Sequence, residues 1–200
     1  MASVTSIDTK RPATAGAVYQ LKVTLLDTKP PIWRRVLVPV DITLDALHEV
    51  IQAAFGWWEY HLHDFEFGHT RYGVPDDDDW NPPKDERKAK LAALANEGST
   101  FRYTYDFGDN WRHKILVEKI LPRELNTRAP SCIDGRRACP PEDCGGPWGY
   151  EELLAILADP AHPEHAERLE WAGGPIDPDK FDPADFEDQL KLGELARFDD

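Results

Sequence analysis

The chain has 200 residues, 41% of them apolar, and carries 37 acidic against 23 basic side chains, a formal net charge of −14. That length is enough to bury a core without disulfide staples, and that charge works against non-specific attraction to nucleic acid or an anionic membrane. No apolar run approaches the roughly 20 residues that span a bilayer, and no secretory signal precedes the three cysteines, so the expected compartment is the cytoplasm, with reduced thiols.

Residues 1–16 are polar and read as a flexible tail, followed by one domain over 17–200. Residues 18–26 alternate in period two, with Tyr19, Leu21, Val23 and Leu25 on one face, which predicts a strand. A turn over 27–31 leads to a second strand over 32–38, in which Trp33-Arg34-Arg35 sets one arginine on each face. Thr43 caps a predicted helix whose stripe is Leu44, Leu47, His48, Ile51, Ala54 and Phe55, with Gly56 as its stop. A third strand is expected over 62–67 and a short fourth over 71–74. The four aspartates at 76–79 lack calcium-loop spacing and read as a solvated loop. Residues 84–96 predict a charged helix with a thin stripe of Ala89, Leu91, Leu94 and Ala95.

A long hairpin follows. Residues 101–107 and 111–121 flank the turn Gly108-Asp109-Asn110, and Phe101, Tyr103, Tyr105 and Phe107 can face Trp111, His113, Ile115 and Val117. Residues 126–149 read as a long loop rich in Pro, Gly and Cys, and loops of this length are usually functional or held by something. Helices are expected over 150–157, 162–171 and 183–192, the last with Asp182 as cap and Pro183 in its first turn. Strands and helices intermix without βαβ regularity. The predicted class is α+β: a mixed or antiparallel sheet built from hairpins, a crossing helix in a β-grasp-like roll, and C-terminal helices packed on it.

The sharpest chemical feature is the series Cys132, Cys139 and Cys144, within which Cys139-Pro-Pro-Glu-Asp-Cys-Gly-Gly146 stands out. Thiolates suit zinc, but a structural site needs four donors, so the three thiols would have to recruit His113 or the 61–63 pair. The plainer reading is buried thiols under a loop stiffened by Pro140-Pro141 and freed by Gly145-Gly146. Glu142 and Asp143 lie between the stiff and the free part, either as an acid pair offered to a partner or metal, or as loop-shaping acceptors. His61 and His63, placed on a strand, would share a face and could bind a metal with Asp106. Asp106-Phe-Gly-Asp109 reads as turn chemistry, without the glycine loop, strand lysine and His-Arg-Asp loop that would make it a kinase signature. The binding residues expected from the sequence are therefore His61, His63, Asp106, Asp109, Trp111, His113, Glu142 and Asp143.

These pieces together resemble the plasmid pRi ORF-three-like family, whose members are also known as TnpR-like passenger proteins of insertion elements. The resemblance is carried by Pro31-Ile-Trp-Arg-Arg-Val36, by Leu47-His-Glu-Val-Ile-Gln-Ala-Ala-Phe-Gly-Trp57 and by His61-Leu-His-Asp-Phe65. It continues through Tyr103-Thr-Tyr-Asp-Phe-Gly-Asp-Asn-Trp-Arg-His113 and the Cys139 to Gly146 segment. It implies one α+β domain of a family with essentially uncharacterised function, linked to mobile elements by gene context. No serine-recombinase motif supports a resolvase activity. The expected function is a binding module for a protein partner, with a metal-dependent hydrolase or nuclease built on the His, Asp and Glu residues as the alternative, and zinc as the cofactor the thiols would take. Nucleic-acid binding through Arg34, Arg35, Arg112 and Lys114 is disfavoured by the charge, and no membrane partner is expected.

Overall fold

The computed structural model describes residues 16–76, 78–124 and 127–192. Of the expected tail only Gly16 falls within them. The first hairpin forms as the alternation predicts: β1 (Ala17–Leu25) pairs antiparallel with β2 (Ile32–Pro39), and Tyr19, Leu21, Val23 and Leu25 are all buried. Helix α1 (Leu44–Phe55) follows, with Gly56 in the left-handed conformation as its C-terminal stop. Its buried stripe includes Leu44, Leu47, Val50, Ile51 and Phe55.

β3 (His63–Phe67), β4 (Thr70–Gly73), β6 (Thr100–Tyr105) and β7 (Trp111–Pro122) extend the sheet through antiparallel pairs. The long hairpin has the expected facing, with Phe101 opposite Ile115, Tyr103 opposite His113 and Tyr105 opposite Trp111. Phe107 lies beyond β6 and is exposed. β1 pairs with β7, so the first hairpin and the later one join into one sheet. With β5 (Lys84–Asp85) and β8 (Ser131–Arg136) at its edges, the order is β5-β4-β3-β6-β7-β1-β2-β8, eight strands among the described residues, mixed because the two-residue β5 runs parallel to β4. With five helices among the described residues this is an α+β architecture. The finer expectation of a β-grasp-like roll is not established by this order.

Two elements differ from the sequence reading. Residues 84–96 do not form one helix. They give β5, a 3-10 turn (Glu86–Lys88) and a single helical turn, α2 (Leu91–Leu94). Tertiary pairing overrides the helical pattern: the Leu44 amide donates to Ala89 O and the Leu91 amide to Ile42 O, which fixes 89–91 against the entry of α1. Residues 131–136 are not loop but the edge strand β8 (Ser131–Arg136), paired with β2. Ser-Cys-Ile-Asp-Gly-Arg has little strand propensity of its own, and the free edge of β2 supplies the pairing.

α3 (Gly146–Ala158) starts four residues earlier than expected, with Pro147 in its first turn, where a missing amide costs nothing. α4 (His165–Trp171) and α5 (Pro183–Leu192) are the last elements of the described residues. α5 packs on α1 and β8 and buries Phe186.

Arg34 ties these layers together. It is buried, and each of its five N–H groups finds an acceptor: the carbonyls of Ala54, Trp33, Arg136 and Arg137, and the sulfur of Cys139. Its guanidinium also lies 4.7 Å from the Phe181 ring centre and 5.5 Å from that of Phe55. Arg35, on the opposite face, pairs with Glu118 and Asp134.

Candidate functional site

Three stretches meet at one end of the sheet: the segment 57–62 after α1, the 106–110 turn between β6 and β7, and the 139–149 loop that opens α3. Trp57 is the pin between them. Its ring is buried against Tyr105 and Trp111, and its indole N–H donates to Pro140 O at 2.9 Å. Glu142 closes the seam by accepting from the Trp58 amide at 3.0 Å and from the Tyr105 hydroxyl, while the Tyr60 amide donates back to that hydroxyl at 3.1 Å. Burial first, then the bond to Glu142, holds the Tyr105 phenol well above its ordinary pKa.

The glycines explain how the loop comes so close. Gly146, in the left-handed region, lies so near the Asp109 carbonyl that a Cβ there would overlap it, and the Gly145 amide donates to Asp109 Oδ2 at 3.1 Å. The composition of the Cys139 to Gly146 segment is thus first a docking device.

Docking of the loop brings its Asp143 together with His61 and Asp106 at one point. His61 Nε2 lies 2.9 Å from Asp143 Oδ1 and 3.7 Å from Asp106 Oδ2, and the three ligand atoms all fall within 4.8 Å of one another. Asp106 is buried, and its other oxygen accepts from the Gly108 amide at 2.8 Å, which fixes Oδ2 toward His61. Among the described residues six non-glycines have positive φ, and four of them (Glu59, Asp106, Asn110 and Asp143) line this crease. Backbone held in sparsely populated conformations is commonly found at functional sites.

The stretches that carry the donors also expose large apolar side chains. Trp58, Tyr60, Leu62, Phe107 and Trp148 are each more than half exposed, Trp148 at 82%. All five belong to, or directly adjoin, the three stretches that build the crease.

The remaining expected residues are sent elsewhere. His61 sits at a bend before β3 begins, so strand alternation does not relate it to His63. His63 turns inward, stacks on His48 with ring centres 3.5 Å apart, and meets Glu86 at 2.8 Å. Trp111 and His113 are fully buried core residues and form no part of a contact surface. Neither imidazole nitrogen of His113 has a well-formed hydrogen bond, and burial lowers its pKa to about 3, against a weaker upward pull from the backbone of Tyr103 and Trp111.

The expected grouping of Cys132, Cys139, Cys144 and His113 around zinc does not form: among the described residues the only set of three or more donors within ligand reach is His61, Asp106 and Asp143. The thiols serve packing. Burial raises the pKa of Cys139 to about 12, opposed by Arg34, and that of Cys144 to about 12, with Asp109 adding to it. Thiols held protonated in this way are poor nucleophiles and poor ligands.

One buried network went unread in the sequence. His48 Nδ1 lies 2.7 Å from the Tyr103 hydroxyl, which also accepts from Gln52 at 2.9 Å, and the Gln52 carbonyl oxygen takes the Glu59 amide at 3.2 Å. The available signal was His48 and Gln52, four apart on the buried face of α1, a polar pair where the stripe called for apolar side chains. Glu86 was hidden by the helix expected over 84–96. Of the basic residues considered for nucleic acid, Arg34 is enclosed, Arg35 is paired, and Arg112 is paired with Asp27.

No helix among the described residues is long and apolar enough to cross a membrane. A family model, that of the plasmid pRiA4b ORF-3-like protein, matches residues 17–187. The uncharacterized protein y4hQ of Sinorhizobium fredii (strain NBRC 101917 / NGR234) is 46% identical over 160 residues, covering 79% of this chain and 82% of the relative. The crystal structure of MM3350, a protein of unknown function from Methanosarcina mazei Go1, is similar with a TM-score of 0.79 and 44% identity, covering 84% of this chain and 97% of that one. The chain belongs to the plasmid pRiA4b ORF-3-like family.

Proposed function

We propose that this member of the plasmid pRiA4b ORF-3-like family is a binding module, and that its contact surface is the crease walled by the 57–62 segment, the 106–110 turn and the 139–149 loop. The observation that carries this reading is that Trp58, Tyr60, Leu62, Phe107 and Trp148 are all exposed on the same three stretches that supply the acidic groups. Large apolar groups gathered at one place on an otherwise charged surface mark interaction sites, and aromatic side chains dominate the energetics of such surfaces. Those groups include Asp109, Glu142 and Asp143, so the partner that fits is a protein segment bearing lysine or arginine beside apolar side chains, with its cations over the aromatic faces and against the carboxylates.

The test is an array of synthetic peptides graded in charge and apolarity, probed with the labelled full chain and with a Tyr60→Ala, Trp148→Ala double variant. Selective capture of basic, apolar peptides that the double variant loses supports the reading. Equal capture by both chains, or no preference among the peptides, sinks it.

A second reading, metal-dependent hydrolysis, is favoured by one observation, the convergence of His61, Asp106 and Asp143. A cation held there would activate water for attack on an ester or phosphodiester. It predicts turnover of a phosphodiester probe with added manganese that disappears on Asp143→Asn, and absence of turnover in the metal-loaded chain dismisses it.

A further inference from the structure

We propose that His61 Nε2, Asp106 Oδ2 and Asp143 Oδ1 form a binding site for one divalent first-row transition cation, whose remaining coordination positions open into the crease. Two of the three ligand separations are 2.9 and 3.7 Å. Neighbouring ligands on a metal with bonds of about 2.1 Å stand roughly 3 to 3.4 Å apart, for octahedral and tetrahedral arrangements respectively. The existing spacing therefore needs only small side-chain adjustments to close on an ion.

The donors come from three separate stretches, and each is held independently of any metal. Asp106 is oriented by the Gly108 amide. Asp143 stands on a loop docked through Trp57, Glu142 and Gly145. His61 follows directly after Tyr60, whose amide is bonded to Tyr105. A site whose supports are already in place loses little entropy on binding.

Charge is a second and independent argument. Asp106, Asp109, Glu142 and Asp143 are gathered in one crease, and among the described residues none of them forms an ion pair with a lysine or arginine; His61 is the sole ionisable base against them. Four carboxylates brought together by backbone docking repel one another, and a dication removes that penalty. Some acidic groups elsewhere do find arginines, as Glu118 and Asp134 do with Arg35 and Asp27 does with Arg112; the four gathered in this crease find none among the described residues.

The ligand types select the ion. One imidazole with two carboxylates is a mixed nitrogen and oxygen set, suited to manganese, cobalt or zinc, whereas calcium prefers six to eight oxygens. The site is distinct from the cysteine-based one expected from sequence, and it does not depend on the peptide-binding reading, since a cation can occupy the floor whether or not a partner covers the crease.

The experiment uses the full chain, treated with chelator and then freed of it, titrated at neutral pH with cobalt(II) by visible absorption and with manganese(II) by calorimetry. The expected result is one equivalent of each metal, with binding weakened by at least about tenfold in Asp143→Asn and in His61→Gln, as loss of a metal-site group typically causes. Asp143 is exposed, so the first variant should keep its fold, and circular dichroism melting confirms this for both. Cys144→Ser should bind as the parent does. The proposal is overturned if the parent shows no saturable uptake up to millimolar metal. It is equally overturned if both variants bind unchanged, or if the cobalt complex shows an intense thiolate charge-transfer band, which would place the metal on the cysteines.

Discussion

His113 shows how a residue's chemistry is set by its place in the sheet. It faces Tyr103 across the long hairpin and is enclosed by Phe55 and Trp57, with ring centres 4.8 and 5.5 Å away. With its pKa lowered to about 3 by burial, the native imidazole takes up no proton until strongly acid pH, whereas in the unfolded chain it protonates near pH 6.5. Throughout that window the unfolded state binds more protons, so stability is lost as the pH falls from about 6.5 towards 3. Between pH 7 and pH 5 this group alone contributes roughly 2 kcal/mol of that loss. His48, lowered by burial and by His63, acts in the same direction. His113→Leu removes two poorly bonded buried nitrogens and also two edge contacts worth about 1 kcal/mol each. The expected outcome in urea unfolding is a stability at pH 7 within about 1 kcal/mol of the parent, with the difference between pH 7 and pH 5 reduced by about 2 kcal/mol. An unreduced difference would mean that other groups set the acid limb.

At the scale of the element, the 139–149 loop shows most clearly what a local change does to the crease. Gly146→Ala forces a Cβ onto the Asp109 carbonyl at a positive φ, so the loop must lift from the 106–110 turn. Lifting it frees the Gly145 amide and loosens Glu142 and Asp143 from their partners. The expected result is a fall of about 2 kcal/mol or more in unfolding free energy, in the range for strain at a special backbone position. Reaction of Cys139 and Cys144 with a thiol reagent at pH 8 should also accelerate, since burial is what keeps both thiols protonated. Parent-like stability and thiol rates would show that the loop absorbs the methyl group without undocking. The same loop marks the limit of what the sequence reveals. β1, β2, α1 and the β6–β7 hairpin are legible because period-two and 3.6-residue patterns report burial on one face. β8 is not, because its pairing comes from the open edge of β2, and the 84–96 segment misleads because bridges to residues 42–44 interrupt a helical pattern. Of the crease, His61, Asp106, Asp109, Glu142 and Asp143 could be named from residue type. Their separation from His63, Trp111 and His113 could not, since it depends on a bend before β3 and on which hairpin face is covered. The aromatic rim of Trp58, Tyr60 and Trp148 left no periodic signal at all.

For the whole molecule the governing quantity is the excess of 37 acidic over 23 basic side chains. Many of the ion pairs are partly or largely exposed, such as Arg112 with Asp27 and Arg128 with Glu187. Exposed pairs of this kind contribute about 0 to 1 kcal/mol each. The unbalanced acid acts over longer distances and opposes the compact state by self-repulsion, which unfolding relieves by spreading the charges apart. Added monovalent salt screens attraction and repulsion alike, so the sign of its effect reports which dominates. Raising potassium chloride from about 20 mM to about 500 mM shortens the screening length from roughly 20 Å to roughly 4 Å, leaving contact pairs partly intact while removing most of the long-range repulsion. With a net charge of −14, the expectation is that repulsion is the larger and the more strongly screened of the two. The urea midpoint should therefore rise across this range, with chelator present throughout so that trace divalent metal does not contribute. A midpoint that falls with salt would show instead that the surface pairs outweigh the excess charge, and that the acidic crease is balanced through contacts with the rest of the fold.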